Sequence, residues 1–184
     1  MVMGLPTDEL KKEHRDIERM LKIVWDAANL IEGGDDVDIE IFKDASDFFR
    51  NYADGCHHVK EEKLLFERMT ARGVPTEYGP LPMMRGEHEE GREHIRKMAE
   101  LSSRKLTKKT SGELLAHVRE YVNLLSQHIQ KEDTILYPIA NDVLTARDQL
   151  ELGKGFAKAE SDTMAPGAHE KYRRMIEAWE KKLG

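Results

Sequence analysis

Histidine recurs on the apolar faces of this chain, in positions where a helical core ordinarily has leucine. Val118, Tyr121, Leu125, His128, Glu132, Ile135 and Ile139 follow one another at steps of three and four, the spacing that lines one buried face of an α-helix. A histidine and a glutamate therefore stand in an otherwise apolar stripe. The same rhythm runs through Leu10, His14, Ile17, Leu21, Val24, Ala28 and Ile31, and again through Met84, His88, Gly91, Ile95 and Met98. A fourth run, Ile41, Ala45, Phe48, Tyr52, Gly55 and Leu65, belongs to the segment that carries His57 and His58.

Helix punctuation separates the four runs. Pro6 with Thr7, Asp8 and Glu9 opens the first helix, and Gly33-Gly34 closes it, proline being tolerated in the first turn and glycine after the last. The second is expected from about Asp38 to Arg72, ending at Gly73, with Pro75 to Pro82 turning the chain. The third begins near Pro82. Lys105 to Ser111 reads as a polar connection, with Thr110 and Glu113 as a capping box for the fourth helix, which Pro138 should bend or end because it lacks an amide donor. Residues 1–145 are thus expected to form an all-α, antiparallel up-down-up-down four-helix bundle. Residues 146–184 read as two shorter helices parted at Met164 to Gly167, an extension packed on the bundle through Tyr172, Met175, Ile176 and Trp179.

Charged residues make up 35% of the chain and apolar ones 39%, a balance suited to long solvated helices. The net charge of -6, with lysines and arginines interspersed among acids, argues against nucleic acid as a partner. No apolar run reaches the roughly 20 residues that span a bilayer. Cys56 is the single cysteine, which rules out an internal disulfide, and Met1 to Leu10 has no signal-peptide core, so a cytoplasmic, membrane-free protein is expected.

Four helices each put a histidine on or beside the buried face. Burying several such polar groups without partners would cost about 1–3 kcal/mol each, and a shared metal removes that cost. His128 and Glu132 lie one turn apart, so both can reach the same ion or adjacent ones. The second helix repeats the pattern: His57, Lys60, Glu61 and Glu62 align with His128, Lys131, Glu132 and Asp133, and Leu64-Leu65-Phe66 with Ile135-Leu136-Tyr137. The alignment selects His57 and Glu61, whereas the apolar periodicity of that helix points towards His58 and Glu62. We follow the repeat, which leaves His58 at the solvent edge or behind a ligand. Imidazole with carboxylate and no thiolate set suits iron, manganese or zinc. Two carboxylates free to bridge suggest a pair of ions.

On these motifs the sequence resembles the hemerythrin-like proteins with the histidine-histidine-glutamate cation-binding domain. The resemblance rests on Glu13-His14-Arg15, Cys56-His57-His58-Val59-Lys60-Glu61-Glu62, Glu87-His88-Glu89-Glu90-Gly91-Arg92, and His128 through Asp133 with Leu136-Tyr137-Pro138. It implies metal ligation by His14, His57, Glu61, His88, His128 and Glu132. It further implies two iron ions bridged by carboxylates and an oxo or hydroxo group, and a small diatomic or peroxide ligand. On that basis we expect binding of dioxygen, nitric oxide or a related oxidant for sensing, storage or detoxification. The alternative is a redox enzyme of the peroxidase, nitric oxide reductase or iron-sulfur repair type, served by an electron donor the sequence does not identify.

The chain departs from oxygen-carrying members where they place a second histidine on the third helix, here Arg92, and a carboxylate five residues after the last histidine, here Asp133 beside Glu132. One iron would then lack an imidazole, a vacancy for water, His58 or His169. Tyr121 is expected as a core tyrosine bonded to a backbone carbonyl, Gly91 as either a space for a ligand or a close helix contact, and Cys56 as a small buried apolar group. His94 and His117 are expected to lie outside the metal's ligand shell.

Overall fold

The computed structural model describes residues 4–104 and 107–184. Its helices are α1 (Pro6–Gly33), α2 (residues 40–71), α3 (Pro80–Ser102), α4 (residues 108–143), α5 (Ala146–Thr163) and α6 (Ala168–Leu183). The first four form an antiparallel bundle in which α1 packs on α2 and α4, and α3 on α2 and α4.

Caps explain most of the boundaries. Asp8 accepts a hydrogen bond from the Leu5 amide at 2.9 Å at the start of α1, and Gly34 ends it in the left-handed region at φ 95°, a conformation that costs glycine nothing. Helix α4 begins earlier than its sequence suggested. Thr107 is the cap, and the reciprocal bonds run between Thr107 and Thr110, so Glu113 is not part of the box. The expected connection over Lys105 to Ser111 lies partly outside the described residues.

Two helices depart from α geometry beside the buried histidines. Helix α2 widens to π geometry at Phe49–His58 and again at Glu61–Leu65, and α4 does so at Glu132–Leu136. A π turn bonds residue i to i+5 and inserts one residue into the helical register. After Glu132 the buried stripe therefore moves from the expected Ile135, which is 51% exposed, to Leu136, Tyr137 and Ala140. The same insertion lets α4 run on through Pro138, which sits in the first turn of the regular segment Tyr137–Val143 and does not end the helix.

The core divides on either side of the histidine layer. One cluster holds Ile17, Val24, Phe42, Phe48, Phe49, Val118 and Tyr121; the other holds Leu10, Phe66, Met69, Leu81, Leu136 and Tyr137. The C-terminal helices reach both. Tyr172, Ile176 and Trp179 of α6 join the first cluster, and Leu152 and Phe156 of α5 join the second. Asp148 fixes α5 to α2, closing its own capping box with Thr145 and accepting bonds from Arg68 and Arg72. No helix is long and apolar enough to cross a membrane among the described residues.

Candidate metal centre

Between the two clusters, α1 contributes His14, α2 His57, His58 and Glu61, α3 His88, and α4 His128 and Glu132. All of them are buried. Their donor atoms fall into two overlapping groups, His14, His57, Glu61 and Glu132 in one and His58, Glu61, His88 and His128 in the other, each with its atoms within 4.8 Å of one another. Glu61 is common to both. Glu132 also spans them, with Oε2 3.2 Å from His14 Nε2 and Oε1 3.1 Å from His128 Nε2.

The six residues expected from the sequence thus lie together, and His58 joins them. It was expected at the edge or behind a ligand, but it is buried and stacks on His88 with ring centroids 3.8 Å apart. The π turn is the reason. Widened helix geometry lets the adjacent His57 and His58 face opposite halves of one centre, with their rings at 60°, so neither the repeat nor the periodicity had to yield. His169 is elsewhere, against Tyr52 and Glu160.

Each of the five imidazoles is oriented by a carboxylate on Nδ1. Asp133 holds His14 at 2.8 Å, Glu13 holds His57 at 2.8 Å, Asp54 holds His58 at 3.3 Å, Glu62 holds His88 at 2.7 Å and Glu87 holds His128 at 2.8 Å. A carboxylate on Nδ1 keeps the proton there and aims Nε2 inward as a donor to metal. The carboxylates are anchored in turn. Lys60 donates to Glu13 and Lys131 to Glu87, while Arg15 grips Asp133 and Arg92 bridges Glu62 and Asp54.

These contacts give the centre an approximate two-fold symmetry that extends the α2/α4 repeat. Lys60, Glu13 and His57 correspond to Lys131, Glu87 and His128. Glu62 on His88 corresponds to Asp133 on His14. Phe66 stacks on His88 at 6.1 Å as Tyr137 stacks on His14 at 5.5 Å. The Tyr137 hydroxyl donates to Glu61 at 2.7 Å and lies 3.2 Å from His14 Nε2. Sequence reasoning passed over Tyr137, Glu13 and Glu87, although the repeat pairing Tyr137 with Phe66 and the motifs containing both glutamates offered the signal.

The donor set fits metal. Among the described residues, His57 Nε2, Glu61 Oε2 and both Glu132 oxygens are buried without a hydrogen-bond partner, since the close approaches of His14 and His128 to Glu132 lack hydrogen-bond direction. Orphaned buried donors of this kind are costly unless a cation satisfies them. Without metal, protons carry the balance. Burial pulls His57 down to about 4 and His88 to about 3. For His128, by contrast, burial is outweighed by Glu132 and Glu87, which raise it to about 9. Asp133 and Glu132 likewise raise His14 against burial. Burial and then the Glu132 charge push Glu61 well up, whereas His128 and His14 hold Glu132 well down despite its burial.

One neighbour differs from expectation. The Tyr121 hydroxyl, expected to reach a carbonyl, has no hydrogen-bond partner among the described residues. Gly91 lies against the Tyr121 ring, which a Cβ there would meet at 3.4 Å, an ordinary contact, so of its two expected roles the helix contact is the one seen. Cys56 is buried, and burial raises its thiol pKa.

Residues 5–140 match the family model described as the hemerythrin HHE cation binding domain. The chain is also 21% identical over 179 residues to uncharacterized proteins of Mycobacterium bovis and of two Mycobacterium tuberculosis strains, covering 96% of this chain and 69% of each of theirs. No solved structure matches it. With the match covering nearly all of the bundle and the histidine-glutamate groups at its centre suited to a cation, the chain belongs to the hemerythrin HHE cation-binding family.

Proposed function

We propose that the centre holds two iron ions, ligated by His14, His57, Glu61, His88, His128 and Glu132 together with His58, and that it binds dioxygen, nitric oxide or a related oxidant for sensing, storage or detoxification. The observation that carries this reading is the sharing of Glu61 between two imidazole groups, with Glu132 facing both. Shared carboxylates are the device by which helical bundles hold a metal pair. Imidazole and carboxylate without thiolate suit iron.

The two halves are unequal. One offers His58, His88 and His128, the other only His14 and His57. With Glu61 and Glu132 shared, the half with fewer imidazoles has one protein donor fewer and so a coordination position for an exogenous ligand. When bound, reduced iron supplies the electron transfer to a small oxidant that no side chain here can provide. The protein's part is positional. Five carboxylates keep Nε2 of every imidazole inward, Glu61 and Glu132 offset cationic charge, and Tyr137 presents a hydroxyl proton at the two-imidazole half. The apolar clusters on both sides exclude bulk water. The proposal is tested by metal analysis and optical spectroscopy of protein purified from iron-replete cells. Close to two irons per chain and oxo-bridged iron absorption in the near ultraviolet are expected, and absence of both would refute it.

A further inference from the structure

Away from the centre, α3 and α4 bring together two further histidines and a carboxylate. His94 Nδ1 lies 3.1 Å from His117 Nδ1, and Glu120 Oε2 lies 3.7 Å from the first and 3.9 Å from the second. We propose that His94, His117 and Glu120 form a second metal site, which takes one late first-row divalent cation of the zinc or copper kind.

The geometry admits an ion. A hydrogen bond between the imidazoles spans 3.1 Å, and Glu120 Oε2, at 3.7 and 3.9 Å, is too far to be hydrogen-bonded to either ring yet near enough to complete a ligand set with both. A triangle with those three edges has its equidistant point about 2.1 Å from every corner, the bond length of zinc to histidine nitrogen and carboxylate oxygen. The three separations therefore admit one ion at bonding distance from every donor.

The placement is also preorganised. His117 and Glu120 are three residues apart on α4 and so share one face, while His94 stands on the tightly packed α3, its ring crossing that of His117 at 61°. His94 is buried, His117 is half-buried and Glu120 is exposed, so the ion would be held from beneath and remain open to water on its outer side. Glu120 has no lysine or arginine partner among the described residues, unlike the Glu13, Glu160 and His169 group, where Lys60 already supplies the positive charge. His117 precedes His128 by eleven residues, about 16 Å along the helix at 1.5 Å per residue, so the two sites share no ligand. For a given set of nitrogen and oxygen donors, divalent copper and zinc bind more tightly than ferrous iron, which selects them for this site.

The test uses protein purified from iron-replete cells, with its iron content measured first. Zinc is titrated by calorimetry into the wild type, His117→Gln and Glu120→Gln, both substitutions lying on the open side of the site and leaving the core intact. The wild type should take up one zinc per chain more than His117→Gln at equal iron content, and Glu120→Gln should bind that zinc at least tenfold more weakly. Cupric ion added in place of zinc should give a paramagnetic resonance spectrum with coupling to two imidazole nitrogens, lost in His117→Gln. Equal zinc uptake by the wild type and His117→Gln, unchanged affinity in Glu120→Gln, or a copper spectrum indifferent to His117 would overturn the proposal. None of these readings depends on which metal fills the central site.

Discussion

Lys60 and Lys131 occupy equivalent places in the approximate symmetry of the centre, but their surroundings differ, and that difference fixes what each substitution should do. Lys60 is fully buried, with Nζ 2.6 Å from Glu13, 2.7 Å from Glu9 and 3.3 Å from Glu160. Burial opposes its charge, yet Glu13 and Glu9 more than compensate and raise its pKa. Glu13, itself buried, is held down to about 2 in spite of burial by His57 and Lys60. Lys60→Met keeps most of the apolar stem but removes the ammonium with its charge and its hydrogen bonds, leaving a buried carboxylate short of its cation. Breaking a buried pair from one side costs about 3–5 kcal/mol, and at roughly 2–4 °C per kcal/mol for a chain of this size the melting temperature should fall by about 6–20 °C. Lys131 is 29% exposed in its ion pair with Glu87, so Lys131→Met should cost no more than about 1 kcal/mol. Chemical denaturation of the metal-free protein measures both. The double variant Lys60→Met with Glu13→Gln should recover much of the loss, because the orphaned charge goes with its partner. Equal costs for the two lysine variants, or a double variant as unstable as Lys60→Met alone, would refute the reasoning.

Other outcomes follow from the same contacts. Because His14 and His128 bind protons more tightly in the metal-free fold than in the unfolded chain, their contribution is present below the unfolded value near 6.5 and is lost as pH rises, for His128 through about 9. His57 and His88, depressed to about 4 and 3, act oppositely and remove stability as pH falls below about 6.5. Denaturation of the metal-free protein should therefore show a stability maximum near neutral pH, and a monotonic rise to pH 9 would contradict the assignment. Metal uptake must displace the protons on His14, His128 and Glu61, so calorimetry in buffers of different ionisation enthalpy should register roughly two to three protons released at pH 7. Tyr137→Phe leaves Glu61 Oε1 without its donor and should destabilise the metal-free protein by about 1–3 kcal/mol, read by urea denaturation. Phe156→Ala, at a fully buried site joining α5 to the bundle, should cost about 3–5 kcal/mol, and limited proteolysis should then cut the C-terminal helices first.

The parts of this molecule that were legible in the sequence are those governed by regular periodicity. The α1 and α3 stripes, with His14 and His88 on them, are buried as their three-four spacing requires, save Ile31 at the end of α1, which is only partly covered, and glycine and proline mark the turns to within a few residues. Legibility failed where the helix itself is irregular. A fixed period cannot anticipate a π turn, so it places Ile135 and not Leu136 inside, makes Pro138 a bend or an end, and sets His57 and His58 in competition. The orienting carboxylates were hidden for another reason. Glu13, Glu62, Glu87 and Asp133 sit beside ligands in the sequence yet serve histidines on other helices, a pairing that only the bundle's assembly decides.

The measurement closest to the central claim is the metal content and optical spectrum of the wild type beside Glu61→Gln and His58→Gln, all purified in parallel from iron-replete cells. If Glu61 is shared by two ions and His58 completes one of them, the wild type should hold close to two irons per chain with near-ultraviolet oxo-bridged absorption, Glu61→Gln should lose that absorption, and His58→Gln should retain less iron. A wild type with at most one metal per chain, or a Glu61→Gln protein that keeps both irons and an unchanged spectrum, would contradict the account.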